Sequence, residues 1–372
     1  MHHVLVYTEC WGRGGIESYL MNVFRLLKTQ GFDFTLFSTW DCNMAFDSEL
    51  SDLGIERKAV FSGVCPSQIK RIAAGTAAFD SILRLHSFDC VYINTMNGLG
   101  FLYSQLAKWN NVPVRVVHSH NSQLGPGNGF SKQLGHMIGR FCFGASATRR
   151  LACSNDAGNH LFGKNDFEVV NNGIDIDRFS FSMTVRNALR DKLAIPADSI
   201  VFGSIGRIAP AKDPLRQLRI FKEILSMEPK AFYLMVGEGE LRNEAEKFAR
   251  MLHIDTKVCF TGYVRDTSPF YSALDVFLMP SLFEGLPLAC VEAQCSGCPV
   301  VGSDTLPPEA RITELLVSVD HSASDRIWAR ASLNSVLDTA NRVAFASRIA
   351  CAGFSLKELG KRLNEVFELK ES

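Results

Sequence analysis

The chain has 372 residues, enough for two domains of ordinary size, and 47% of them are hydrophobic, as a protein with substantial cores requires. Its 39 basic and 39 acidic side chains cancel, so the molecule has no overall electrostatic footprint for nucleic acid and must meet any charged partner locally. The opening "MHHVLVYTEC" lacks a basic region ahead of its short apolar run, and no apolar stretch of spanning length follows, which predicts no signal peptide, no membrane span and a cytoplasmic location.

Short β-branched or aromatic runs alternate with longer amphipathic ones, the pattern of βα units around parallel sheets. In chain order the predicted strands are "VLVY" at 4–7, "FTLFS" at 34–38, "CVYIN" at 90–94, "VRVVHS" at 114–119, "RLACS" at 150–154 and "EVVN" at 168–171. The polar, turn-rich "NNGIDIDRFSFS" at 171–182 reads as a linker with a boundary near 175. A second series follows with "IVFGSIG" at 200–206, "FYLMVG" at 232–237, "KVCFTG" at 257–262, "DVFLMP" at 275–280 and "PVVGS" at 299–303. After 325 the chain reads as helical, and its end places Leu356, Leu359, Leu363, Val366 and Phe367 on one face.

Ligands of doubly wound sheets bind beyond the carboxyl ends of the strands. Four stretches stand there. "CWGRGGIESYL" at 10–20 leads from a strand through Gly12, Gly14 and Gly15 into a helix, where free N–H groups favour an anion; a glycine turn with no ligand fits equally. "GRIAPAKDP" at 206–214 holds Arg207 and Lys212, a planar fork and a point charge suited to a diphosphate or, alternatively, a solvated surface pair. "VGEGELR" at 236–242 is another glycine turn, more simply structural. "SLFEGLPLACVEAQCSGCPVV" at 281–301 carries Glu284 in a turn, Pro287 in the first turn of a helix, and Glu292 on that helix, with seven residues between the glutamates. A glutamate in an apolar helix calls for a hydrogen-bonding partner such as a sugar hydroxyl, or else lies on the helix's exposed edge.

The same stretch holds Cys295 and Cys298. A redox pair needs its first thiol at a helix N-terminus, and Cys295 falls at a C-terminal end; a zinc site needs two more ligands at comparable spacing. These thiols therefore read as packing residues. The eleven cysteines, an odd number in a large chain, predict reduced thiols.

Together "GRGGIESYL", "GRIAPAKDP", "VGEGEL" and "EGLPLACVEAQCSGCPVV", in this order along nearly the whole chain, resemble the retaining nucleotide-sugar glycosyltransferases of family 4, above all the bacterial enzymes of capsular and extracellular polysaccharide synthesis. The resemblance implies an α/β GT-B fold of two facing Rossmann-like doubly wound domains: an acceptor-side domain at 1–175, a nucleotide-sugar domain at 176–354, and a C-terminal helix at 355–372 returning to the first. It implies sugar transfer from a UDP-sugar, a UDP-hexose or UDP-N-acetylhexosamine, to a lipid-linked or glycan acceptor. By the same resemblance Arg207 and Lys212 hold the diphosphate, and Glu292 accepts from the ribose hydroxyls. Glu284, with the backbone of Gly285 and Leu286, holds the donor sugar and distal phosphate. Gly14 and Gly15 close over the phosphates and acceptor, Tyr263 and Val264 hold the base, and His120 lies near the transferred sugar. Catalytic duty falls to Glu284, His120, Arg207 and Lys212, with no metal and no cofactor. Pro210, between the two cations, sets this loop apart from the commoner forms. The same fold also serves epimerases, phosphorylases and non-catalytic nucleotide-sugar scaffolds.

One feature lies outside the motifs. From Cys90 to Asn155 there is no Asp or Glu, against Lys108, Arg115, Lys132, Arg140, Arg149 and Arg150. Within it "SKQLGHMIGRFCFG" places Leu134, Met137, Ile138, Phe141 and Cys142 on one helical face and Lys132, His136 and Arg140 in a stripe. It reads either as a core helix with a solvated face or as a basic 115–150 contact with an anionic surface, the lipid headgroups at the inner face of the plasma membrane or the diphosphate of a lipid-linked acceptor.

Overall fold

The computed structural model describes residues 2–12, 14–41, 46–122 and 129–368, with the side chains of residues 130 and 131 excepted. The chain divides into two units, one formed by residues 1–173 with 356–372 and the other by 174–355.

The first unit is built on a seven-stranded sheet. Its strands are β1 His2–Trp11, β2 Phe32–Asp41, β3 Glu56–Ser62, β4 Cys90–Thr95, β5 Val114–Ser119, β6 Arg149–Ala152 and β7 Glu168–Val169. Their order is β3-β2-β1-β4-β5-β6-β7, and every neighbouring pair is parallel. The central strands are apolar without alternation, with Val4, Leu5, Val6, Val91, Tyr92 and Ile93 buried, because helices cover both faces of such a sheet. The final helix, Leu356–Phe367, packs on the helix Gly15–Lys28 and on β5, burying Leu359, Leu363, Val366 and Phe367.

The second unit holds six parallel strands, β8 Val201–Ile205, β9 Phe232–Val236, β10 Val258–Gly262, β11 Val276–Met279, β12 Val300–Ser303 and β13 Leu316–Val319, in the order β10-β9-β8-β11-β12-β13. Phe202, Phe221, Tyr233, Leu278 and Trp328 fill its core. The reversal of strand order beside β8 puts the ends of β8 and β11 next to each other, the point where such sheets open to ligands.

Two edge strands, β3 and β13, escape the sequence reading, and "EVVN" contributes only Glu168–Val169 to a strand. The linker segment contains a short helix, Ile176–Phe179, whose first turn is capped by the Asp175 side chain. Pro287 flanks the helix Leu288–Cys295 in extended backbone instead of entering its first turn.

The largest departure is in the helix Phe130–Phe143. Its apolar residues face out: Leu134, Met137, Ile138 and Phe141 are 44%, 52%, 46% and 73% exposed. The predicted polar stripe turns inward, where His136 is buried and accepts from the Gly98 N–H through Nδ1 at 3.1 Å. Glycine causes this inversion. A Cβ on Gly139 would stand 2.0 Å from the Gly98 carbonyl oxygen, and one on Gly98 would stand 2.1 Å from the His136 carbonyl oxygen. Backbone meets backbone there, on the face a hydrophobicity pattern counts as weakest. Arg140 fills the space beside Gly163, and burial, with His160 and Arg140 alongside, lowers the His136 pKa to about 4.

Candidate active site

Gly206 follows β8 and Gly237 follows β9, both at positive φ (145° and 138°). A Cβ on Gly237 would lie 1.9 Å from the Gly206 carbonyl oxygen, and one on Gly239 would lie 2.2 Å from that of Ile208. The "VGEG" turn is thus a packing device that brings the β9 loop against the β8 loop, fixed by Ile208 N–H to Glu238 O at 2.9 Å and Leu241 N–H to Ile208 O at 3.1 Å.

That packing presents Arg207 outward. Its guanidinium is well exposed and its Nε donates to Glu240 at 3.1 Å. Lys212 closes the turn Pro210–Lys212, just before Asp213, which sits at φ 44° and caps the helix Pro214–Met227 by accepting from Arg216 N–H at 3.2 Å. Gln217 holds this turn by donating to the Lys212 carbonyl at 2.8 Å, and is itself bonded to the buried Tyr233 hydroxyl at 3.1 Å. The Lys212 ammonium is ion-paired with Glu284. A pocket at the ends of β8 and β11 is lined by Arg207, Ile208, Lys212, Gln217, Met279 and Ser281. Of the residues singled out in the sequence, Arg207, Lys212 and Glu284 are therefore drawn to one place. The turn carrying Glu284 and Gly285 is tied in by Leu282 N–H to Ala211 O at 2.9 Å, and Leu286 is buried.

Glu292 lies on the helix Leu288–Cys295 and accepts from the Tyr271 hydroxyl at 2.6 Å. Burial raises its pKa to about 7, against the opposing hydrogen bond from Tyr271 and the nearby Arg178. Arg342 braces the pair: buried, it donates to Tyr271 O at 2.7 Å and to Ser296 O at 3.0 Å. Tyr271, a partner that spacing could not reveal, is supplied by the helix Ser268–Ala273. Tyr263 and Val264 follow β10 after Gly262, with Tyr263 exposed.

The remaining candidates belong to the first unit. Gly14 precedes the helix Gly15–Lys28, Gly15 has open space where a Cβ would be, and Glu17 folds back to accept from Gly12 N–H at 3.0 Å. The helix start thus carries a carboxylate of its own. His120 is buried, its Nε2 lies 2.8 Å from Asn94 Oδ1, and its ring is 4.1 Å from that of His118. An amide oxygen only accepts, so the His120 proton is on Nε2. Burial depresses its pKa to about 3 and keeps it neutral. His118 bonds the Tyr92 hydroxyl at 2.5 Å, and that hydroxyl meets Tyr19 at 2.8 Å. Another pocket, in this unit, is lined by Glu9, Arg71, Asn97 and Tyr103.

Cys295 and Cys298 are both buried, and burial pushes their thiols up to about 12 and about 11. Their sulfurs face backbone carbonyls of Ile176 and Pro299. Among the described residues no group of three or more His, Cys, Asp and Glu converges as metal ligands. Cys295→Ala with Cys298→Ser is expected to keep turnover within about twofold of the parent, as for small packing residues; a tenfold or greater loss at unchanged melting temperature would give the thiols a chemical role.

Two all-parallel sheets in this order, each with its candidate residues beyond the strand ends, define a GT-B protein. The solved structure of Anabaena Alr3699/HepE in complex with UDP and glucose shares this fold, with a TM-score of 0.78 and 20% identity, over 98% of this chain and 99% of that one. Residues 13–178 match the family model "Glycosyltransferase Family 4" and residues 185–319 match "Glycosyl transferases group 1". The putative glycosyltransferase EpsF of Bacillus subtilis (strain 168) is 31% identical over 311 residues, covering 82% of this chain and 79% of its own. An Escherichia coli UDP-Gal:alpha-D-GlcNAc-diphosphoundecaprenol alpha-1,3-galactosyltransferase is 27% identical over 245 residues, 57% of this chain and 62% of its own. The chain belongs to the family 4 glycosyltransferases and is an enzyme of polysaccharide or glycan biosynthesis.

Proposed function

We propose that the enzyme moves a hexose or N-acetylhexosamine from a UDP-sugar, with retention, to a lipid-linked or glycan acceptor of a surface polysaccharide such as a capsule or exopolysaccharide. The observation that carries this reading is the Lys212–Glu284 pair beside Arg207 at the ends of β8 and β11. Two cations at the diphosphate position neutralise the charge that grows as UDP departs, and Glu284 orients the lysine and accepts from a sugar hydroxyl. Glu292 accepts from the ribose, Tyr263 and Val264 border the base, and Gly285 and Leu286 line the sugar side. Gly14, Gly15 and His120 of the first unit serve the phosphates, the acceptor and the transferred sugar. Retention follows from front-face attack, the departing phosphate taking the acceptor proton. The E. coli relative, named for a UDP-Gal donor and a diphosphoundecaprenol acceptor, supports both a UDP-sugar and a lipid diphosphate, and thus work at the inner face of the plasma membrane.

Incubation with a panel of UDP-sugars and polyprenyl-diphosphate sugars, read by UDP release and by the anomeric configuration of the product, tests this. The expected result is one preferred donor and an axial or equatorial linkage matching it. Inversion of configuration, or isomerised UDP-sugar without transfer, would overturn the proposal.

A further inference from the structure

Asn94 and His120 meet at the carboxyl end of the first unit's sheet. β4 and β5 run in register with Asn94 opposite His118 and Thr95 opposite Ser119, and the chain leaves β5 with the His120 N–H donating to Thr95 O at 3.1 Å. Alternate positions of a strand share a face, so Tyr92 and Asn94 line up with His118 and His120 as two rungs. In one, the Tyr92 hydroxyl bonds His118 Nδ1 at 2.5 Å; in the other, Asn94 Oδ1 lies 2.8 Å from His120 Nε2. All four side chains are buried.

The rungs differ in what they dictate. A hydroxyl both donates and accepts, so Tyr92 allows the His118 proton on either ring nitrogen. Asn94 allows one arrangement. Its amide nitrogen donates to the Tyr92 carbonyl at 3.4 Å, which turns Oδ1 to the imidazole and holds the His120 proton on Nε2. The other nitrogen, Nδ1, has no partner among the described residues, and a bare lone pair can only accept. The titratable groups facing this ring are His118, with ring centroids 4.1 Å apart, and Tyr19 of the helix Gly15–Lys28, at 5.1 Å. Burial keeps both uncharged, so neither supplies a second proton or a competing charge.

We propose that Asn94 is a positioning residue: by holding the His120 proton on Nε2 it makes His120 an acceptor toward the transferred sugar, which must bring an O–H or N–H to that point and not an anionic group. This rests on the reading that the sugar of a UDP-sugar meets His120.

The test reads the ring nitrogens by NMR in protein carrying isotope-labelled histidine, the His120 signals being those that vanish in His120→Ala. The free parent should show the Nε2–H form from pH 5 to pH 8. A UDP-sugar seen to bind by calorimetry should shift the Nδ1 resonance and leave Nε2 in place, whereas UDP alone should shift neither. Asn94→Leu, which removes the acceptor, should show both tautomers and lose about tenfold or more in kcat, as wrong tautomers do. Asn94→Asp keeps an acceptor at Nε2, but its carboxylate lifts the His120 pKa from about 3 to about 6, the size of rise a contacting opposite charge gives. At pH 5 only about one His120 in ten then keeps its lone pair. The kcat of Asn94→Asp at saturating donor, as a fraction of the parent's at the same pH, should therefore fall by about tenfold from pH 8 to pH 5. A fraction that stays flat would make Asn94 a structural residue only. An Nδ1–H form in the free parent, or a bound UDP-sugar that leaves Nδ1 unmoved, would overturn the proposal whether or not the variants fold, and would leave the donor assignment standing. Failure of every UDP-sugar to bind would overturn the donor assignment and this inference with it.

Discussion

Lys212→Ala is expected to slow sugar transfer by about 10²–10³-fold in a folded protein, the loss typical of removing one donor from a site of developing charge. Lys212 sits partly shielded, at 29% side-chain exposure, with Glu284 at 11%, and its turn is held by Gln217 and Asp213. Its charge is thus preorganised where water screens it little. Arg207, at 64% exposure and paired with Glu240 at the surface, should lose less on truncation, because exposed ion pairs contribute only about 0–1 kcal/mol. The two cations that the sequence presents as equals are therefore expected to differ. The diphosphate role shows in the nucleotide: Lys212→Ala should weaken UDP much more than UMP, and Glu284→Gln, which loosens the lysine without removing its charge, should do the same to a smaller degree. Equal losses for UDP and UMP in Lys212→Ala would remove the lysine from the diphosphate.

The strands of both sheets are legible wherever they are buried on two faces, because β-branched and aromatic runs without alternation have few other uses. β3, "ERKAVFS", and β13, "LVSV", are edge strands with half-exposed residues, so their pattern is diluted below recognition. The site is legible as residue types placed after strands, yet the pairing of Lys212 with Glu284 across 72 positions arises from the adjacency of β8 and β11, which topology alone supplies. The helix Phe130–Phe143 misleads for a physical reason. Hydrophobic periodicity assumes that burial is driven by apolar side chains, whereas here two glycines allow a backbone contact that no such scale weighs. Tyr271 is likewise invisible as a partner of Glu292, since a buried tyrosine reads as core until a carboxylate is seen beside it.

That carboxylate gives the second large effect. Burial lifts the Glu292 pKa to about 7 in the folded protein, against roughly 4.3 in an unfolded chain. Between those values the folded state holds more protons than the unfolded one, so the protein loses stability as pH rises through that window. Above pH 7 both states are ionised and the fold carries the whole cost of a buried carboxylate, up to about 4 kcal/mol. Gln carries no such charge. Glu292→Gln should accordingly melt above the parent at pH 8, and the difference should close by pH 4. Nucleotide binding should run the other way. Ribose hydroxyls donate to the ionised carboxylate, and at pH 6 only about one molecule in ten is ionised at a pKa near 7. UDP-sugar affinity is then expected to rise by about tenfold from pH 6 to pH 8, with close to one proton released on binding at pH 6, measured by calorimetry in two buffers of different ionisation enthalpy. Glu292→Gln should bind the UDP-sugar weakly at both pH values and release no proton, since a diphosphate esterified at both ends does not titrate in this window. A parent whose affinity is flat across this range, or a Gln variant that keeps the full pH dependence, would detach Glu292 from the ribose and leave its bond to Tyr271 a purely structural one.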